Sequence, residues 1–300
     1  MLKYKADLKS LLYMAITTAM FVYQWNNGFG FTPINVAIYI VYLYFSVAVS
    51  VMAHNHNHIN MWNSKPLNVL TDWWLTAFYG IPVFCWIPTH NRNHHRYNNK
   101  PEDYTSTFKN YEDNTLFTLV SYPGVSSYYQ IKEGIIPYMK NLLKTDKKIF
   151  WEYIIQTVVL VAWIAVFVVL DWKKAILYVV IPQQVSGYFV MIFNYVQHVH
   201  ADEESKWNHS RNFMGVNLFL FNNGYHTVHH EKAVMHWSES PAAHAKVAHL
   251  IDPKLIEKSF WGYIFRVYIF GPIFPNLKTK SMRLQRIAAQ KNQMQEEVVS

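Results

Sequence analysis

The sequence predicts an all-α integral membrane protein: two transmembrane helical hairpins, interfacial helices, and a cytoplasmic histidine-rich metal-binding cap. Three observations carry that reading. Hydrophobic residues make up 51% of the 300 residues and aromatics 17%, while charged residues reach only 15%, well below the roughly 25% of an average soluble domain. The apolar residues come in long runs separated by polar, basic segments. The histidines are absent from residues 1–53 and 96–197, so they fall into two blocks separated by an apolar hairpin.

The apolar runs are Leu11–Trp25, Phe31–Ala53, Val69–Pro88, Ile149–Leu170 and Ala175–Val196. Spanning a bilayer takes about 20 mostly apolar residues. The second, fourth and fifth runs reach that length, and the first joins them if Lys9 snorkels to the interface. Lys3, Lys5 and Lys9 resemble the positive end of a signal peptide, but no small-residue cleavage site follows, so the run reads as an uncleaved anchor. Val69–Pro88 is different. Asp72, the Trp73 and Trp74 pair, Gly80, Pro82 and Pro88 suit an interfacial or re-entrant segment. A full crossing there would also put the histidines on its two sides on opposite faces of the membrane, so this run is expected not to cross.

Charge sets the expected orientation. The loop Asn26–Gly30 is uncharged and Asp171–Lys174 is very short, whereas residues 91–148 and the C-terminal part are rich in Lys and Arg. Positive-inside topology then puts the long loops, the metal site and both termini in the cytoplasm, in a bacterial inner membrane or the endoplasmic reticulum. The same topology accounts for the net charge of +8, so membrane lipids and not nucleic acid are the expected surroundings. A single cysteine, Cys85, excludes an internal disulfide and a cysteine-based zinc module. Residues 1–277 are expected to form one membrane domain and 278–300 a polar, exposed helical tail.

Spacing decides what the histidines do. His54 and His58 are four apart; His90, His94 and His95 follow at four and one. In the second block Asn194 lies four before His198, and His226, His229 and His230 are spaced by three and one. Residues three or four apart share a helix face, so each cluster can turn two imidazoles onto one ion. His56 and His200 fall on another face and are set aside. His209, His236, His244 and His249 fit no cluster and are left out. A lone histidine at a membrane boundary is more often a hydrogen-bonded packing residue than a ligand, but four clusters at ligand spacing on one predicted side exceed that explanation. So many imidazoles suit two metals with open positions. Imidazole alone does not choose among iron, zinc, copper and nickel, and the Glu-x-x-His pairs of soluble di-iron bundles are missing.

In order along the chain, "HNHNH" (His54–His58), "HNRNHH" (His90–His95), the Asn-x-x-x-His of "NYVQH" and "GYHTVHH" (Gly224–His230) resemble the histidine boxes of the membrane fatty-acid desaturase and hydroxylase superfamily. The resemblance runs from about Ala53 to Pro253. It implies a desaturase-like domain over 1–277 and two iron ions (Fe2+), with His54, His58, His90, His94, His95, His198, His226, His229 and His230 as ligands and Asn194 acting through water. Dioxygen would be the co-substrate, a long-chain fatty acyl lipid the substrate, and introduction of a double bond the reaction. No residue beyond the metal ligands is then needed as a nucleophile. "HNRNHHRYNNKPEDYTS" is also similar to the alkane monooxygenase branch, and "HHEKAVMHWSESPAAHAKV" to fatty-acid decarboxylases that form terminal alkenes. Lipid or alkane hydroxylation and decarboxylation are therefore alternatives at the same site.

The chain has neither a Gly-x-Gly-x-x-Gly fingerprint nor a His-Pro-Gly-Gly haem stretch, so an external electron donor of the ferredoxin or cytochrome b5 type is expected. Arg92, Arg96, Lys100 and Lys109 could steer an acidic carrier, although topology alone explains them. Glu102, Asp103 and Asp202 lie near the boxes and could accept imidazole N–H groups, although exposed charge is the commoner role. A membrane metal transporter is the distant alternative, and a zinc-dependent membrane hydrolase a third. Transport needs polar groups inside the spans, and there the chain holds only scattered ones such as Gln156, Gln183, Gln184 and Ser186.

Overall fold

The computed structural model describes residues 1–27, 30, 32–109 and 111–299. The middle of the Asn26–Gly30 loop, Phe31 at the head of the second apolar run and Ser300 at the end of the tail lie outside the described residues. The fold is helical: α1 (Leu8–Asn27), α2 (Pro33–His58), α3 (Lys65–Tyr79), α4 (His95–Tyr97), α5 (Leu116–Tyr129), α6 (Ile136–Thr145), α7 (Lys147–Ala175), α8 (Ile181–His198), α9 (His226–Glu231), α10 (Ser240–Val247), α11 (Phe260–Ile264) and α12 (Met282–Val299). A π-helix, Ile87–His94, leads into α4. Two short parallel strands, β1 (Asn212–Phe213) and β2 (Ile256–Glu257), pair with each other.

The chain divides into two compact units. The first comprises Met1–Arg92, Ile131–Met191 and Val234–Ser238; the second comprises Asn93–Gln130, Ile192–Ala233 and the chain from Glu239 onward.

In the first unit, composition dictates which helices suit a bilayer. Among the described residues, Pro33–His58 (mean hydropathy 2.1) and Lys147–His198 (2.6) are long and apolar enough to cross a membrane. Much of α7's apolar surface points outward, with Val158, Val161, Val169 and Leu170 all exposed, which water would penalise and lipid would not. The long stretch is interrupted at Asp171, whose backbone leaves helical geometry (φ −163°, ψ 100°). Its Oδ1 accepts from the Lys173 and Lys174 backbone N–H groups at 3.1 Å, capping the turn that follows as an N-cap aspartate does.

The third apolar run does not become a long helix. α3 has 15 residues, a rise of roughly 22 Å against a hydrocarbon core of about 30 Å. It stops at Gly80, which takes the left-handed conformation (φ 81°). Polar side chains inside the apolar helices are occupied by backbone. Gln183 Nε2 donates to the Ala77 carbonyl at 2.7 Å, Ser186 Oγ donates to the Ser46 carbonyl, and Gln156 Oε1 accepts from the Phe84 N–H at 2.9 Å. These bonds satisfy peptide groups near helix ends and at a buried Ser46 carbonyl, where no water would do so. An aromatic cluster of Phe21, Trp25, Trp74, Phe78, Trp163 and Phe167 fills the space among α1, α3 and α7, with ring centres 4.4 Å apart for Trp74 and Phe78 and 5.0 Å for Phe21 and Phe167.

The second unit is held by buried polar links. Arg211 is 2% exposed and donates from Nη1 to the Val196 and Val199 carbonyls at 2.8 and 3.1 Å, closing the C-terminal end of α8. Tyr122 on α5 donates to the Thr105 carbonyl at 2.6 Å. The tail helix α12 is exposed along most of its length, but its first turns are anchored. Arg283 pairs with Glu112 and Glu203, and Arg286 with Asp202 and Glu203.

A β-carbon at position 80 would lie 2.4 Å from Gln183 Cβ, and a left-handed non-glycine residue costs about 1–2 kcal/mol on its own. Gly80→Ala is expected to lower the thermal unfolding midpoint in detergent measurably. An unchanged midpoint would show that the α3 terminus is not packed as described.

Candidate metal centre

In the first unit, α2 carries His54 and His58 one turn apart at its C-terminal end, and the π-helix contributes His90. Their ring centres are 4.7 Å (His54–His58), 4.6 Å (His54–His90) and 5.1 Å (His58–His90) apart. The Nε2 atoms of His54 and His90 approach to 2.9 Å. Asn91 Nδ2 donates to the Asn57 carbonyl at 3.0 Å, tying the π-helix to α2, and Trp86 packs edge-on against both His54 and His90. A π-turn is a rare geometry that recurs at functional sites.

In the second unit, His94, His198, His226 and His230 each offer a ring nitrogen, all within 4.8 Å of one another. The Nε2 of His226 lies 2.8 Å from that of His198 and 3.2 Å from that of His230. His94 stands edge-on to His198 and His230, with ring centres 4.8 and 4.7 Å away. His95 and His229 stand edge-on to each other, with ring centres 4.6 Å apart. His94 and His198 are fully buried.

Local chemistry fixes these rings. After the second box Asn98 and Asn99 both take positive φ (45° and 67°), a conformation asparagine tolerates better than most residues. That turn brings the chain back so that Asp103 Oδ2 accepts from His94 Nδ1 at 2.7 Å. The carboxylate also accepts from the N–H groups of Asn99 and Thr105 at 2.8 Å each and from the Thr105 hydroxyl. Burial would by itself raise the Asp103 carboxyl, but the His94 ring beside it and the Thr105 hydrogen bonds outweigh burial and hold it below the usual carboxylate range. His198 Nδ1 donates to the His209 carbonyl at 3.2 Å. With the N–H on Nδ1, each ring presents its Nε2 lone pair to the cluster.

The donors fit a transition metal. Neutral imidazole nitrogens at 2.8 to 3.2 Å repel through their lone pairs unless a proton or a cation lies among them, and His230 Nδ1 is buried with no hydrogen-bond partner. An all-nitrogen set suits iron, zinc, copper or nickel and is wrong for calcium or magnesium.

The residues expected from the boxes thus fall into a three-histidine group (His54, His58, His90), a four-histidine group (His94, His198, His226, His230) and the edge-on pair His95 and His229. Asn194 donates from Nδ2 to the Tyr122 hydroxyl at 2.6 Å. Both demoted histidines lie outside these groups. His56 accepts from the Met61 N–H and lies 3.4 Å from Asp72; His200 contacts the Thr279 hydroxyl and the Glu112 carbonyl. Of the three acids expected near the boxes, Asp103 alone bonds a box histidine; Glu102 offers its backbone carbonyl to Asn93 and Asp202 pairs with Arg286. Sequence reasoning missed His209, which is buried with its ring centre 5.5 Å from that of His230. No spacing rule marks it, because it comes from the irregular chain after α8.

Two substitutions test this arrangement. Asp103→Asn keeps the shape but weakens the His94 anchor, and metal affinity is expected to fall about 10–100-fold by chelator competition. Because the Asp103 pKa is depressed by folding, its stabilisation is complete above the ordinary carboxylate value near 4 and is lost as pH falls further. In metal-free protein, the stability gap between wild type and Asp103→Asn should shrink as pH falls below about 4. Gly224 opens the third box; a β-carbon there would sit 1.9 Å from the Phe213 carbonyl oxygen, to which no relaxation short of moving the backbone can respond. Gly224→Ala is expected to displace α9 and abolish stoichiometric metal binding, measured by elemental analysis.

The family model for fatty acid desaturases matches residues 29–265, a region that takes in every box from His54 to His230. No curated protein and no solved structure matches the chain. Proteins of that family are typically membrane-bound, in keeping with the two apolar stretches. The chain belongs to the fatty acid desaturase family and is an oxidoreductase of the fatty acyl desaturase or hydroxylase type.

Proposed function

We propose that the protein is an oxygen-dependent di-iron desaturase that introduces a double bond into a long-chain fatty acyl substrate. The four-histidine group, three of its members buried and one locked by Asp103, carries the proposal. In this reading His54, His58, His90, His94, His95, His198, His226, His229 and His230 hold two iron ions, and Asn194 acts through water. When bound, the two ions supply the dioxygen chemistry that removes hydrogen from an unactivated methylene. The chain's own work is to orient imidazoles and keep water out. Asp103 and the His209 carbonyl fix ring tautomers, and Trp86 covers His54 and His90 with apolar surface.

The proposed topology has two hairpins, α1 with α2 and the two halves of the long apolar stretch, each rising from the cytoplasmic side. Lys174 Nζ donates to the Trp25 carbonyl at 2.8 Å, and Trp25 packs on Phe167 at 4.7 Å, which supports placing the ends of α1 and of the first half at one level. Both termini and the histidines would be cytoplasmic. Electrons would come from a ferredoxin- or cytochrome b5-type carrier. Arg92 and Arg96 are exposed for such a partner, whereas Lys100 is paired with Glu204. A metal-transit role has less support, because Gln156, Gln183 and Ser186 are bonded to backbone.

The test is the lipid profile, by mass spectrometry, of cells expressing the wild type or the His226→Ala, His230→Ala double variant. A new double bond made by the wild type alone is the expected result. Hydroxylated or terminal-alkene products alone would overturn desaturation, and an active preparation holding zinc without iron would overturn the di-iron assignment.

A further inference from the structure

His209 is only 2% exposed, and neither of its ring nitrogens has a hydrogen-bond partner. That is an expensive way to use a histidine as packing, because a buried polar atom without a partner loses its hydration and gains nothing in return. Histidines of this chain that serve structure are satisfied differently. His56 has the Met61 N–H and Asp72, His200 has Thr279 and Glu112, and His236 has Ser238 and Asp7.

The position of His209 is also built. Ser210, Arg211 and Asn212 after it are fully buried; Ser210 bonds Thr227 on α9 at 3.0 Å, and Asn212 Nδ2 bonds the same hydroxyl at 2.8 Å. The segment that carries His209 is therefore clamped to the helix that carries His226 and His230. The His209 carbonyl holds His198, and its ring centre lies 5.5 Å from that of His230, one step outside the 4.7 to 4.9 Å that separates neighbouring rings within the four-histidine group.

We propose that His209 is a fifth nitrogen donor to the metal centre formed by His94, His198, His226 and His230. The inference rests on the reading that this group binds metal. It assigns the side chain a role beyond the histidine boxes, and it gives one of the two bare nitrogens of this buried ring a partner.

The experiment uses the full chain in detergent, loaded with Co2+ as a spectroscopic probe, and compares wild type with His209→Leu, His230→Ala and the exposed-site control His249→Ala. The expected result for His209→Leu has three parts: at least about a 10-fold loss of Co2+ affinity at one of two sites by chelator competition, a d–d spectrum altered toward lower coordination number, and metal-free protein that unfolds no earlier than wild type. A histidine that merely packs would move only the last of these. If the His209→Leu spectrum and affinity match wild type while His230→Ala loses metal, the fifth-donor assignment is overturned and the metal reading stands. Should His230→Ala also retain both, the metal reading falls and takes this assignment with it.

Discussion

A buried imidazole points a defined lone pair when its other nitrogen is held, and in the second unit His94 and His198 are held in that way. The His94–Asp103 bond does so most completely. The carboxylate is itself buried and is kept ionised by the ring beside it and by N–H and O–H groups of Asn99 and Thr105. Everything around it serves to bring two polar groups into a dry interior in the right mutual orientation: the two left-handed asparagines, the short α4, and the Tyr122 hydroxyl reaching back to Thr105.

The first unit solves the complementary problem. Its helices expose apolar faces suited to lipid, yet they end and turn inside apolar surroundings, where unsatisfied peptide groups are costly. Gln156 and Gln183 meet that need from neighbouring helices, and Ser186 ties its helix to the middle of α2 at Ser46. What looks in sequence like polar residues scattered along a pathway is, in three dimensions, a set of fasteners between helices.

Periodicity and length made much of this legible in the sequence. The second apolar run and the fourth and fifth together are the stretches the structure picks out as long and apolar enough to cross a membrane, and the interruption of the latter falls at Asp171, where the sequence marks a tight turn. Box spacing located the histidines that gather into the three-residue and four-residue groups, because a one-turn repeat on a helix is a local property. Features set by distant partners were out of reach. Nothing local separates Asp103 from Asp202: both are acids near a box, and only the fold turns one toward His94 and the other toward Arg286. His209 carries no repeat at all, since the chain there is irregular.

The Asp103 anchor sits nine positions beyond the ring it holds, across a loop whose path is set by two consecutive left-handed residues. A chain that gained or lost one residue there would still display every histidine at its proper interval and every apolar run at its proper length. It would look intact to any comparison of motifs, yet its carboxylate would miss the imidazole. The loop's length is thus as much a part of this candidate centre as the histidines are.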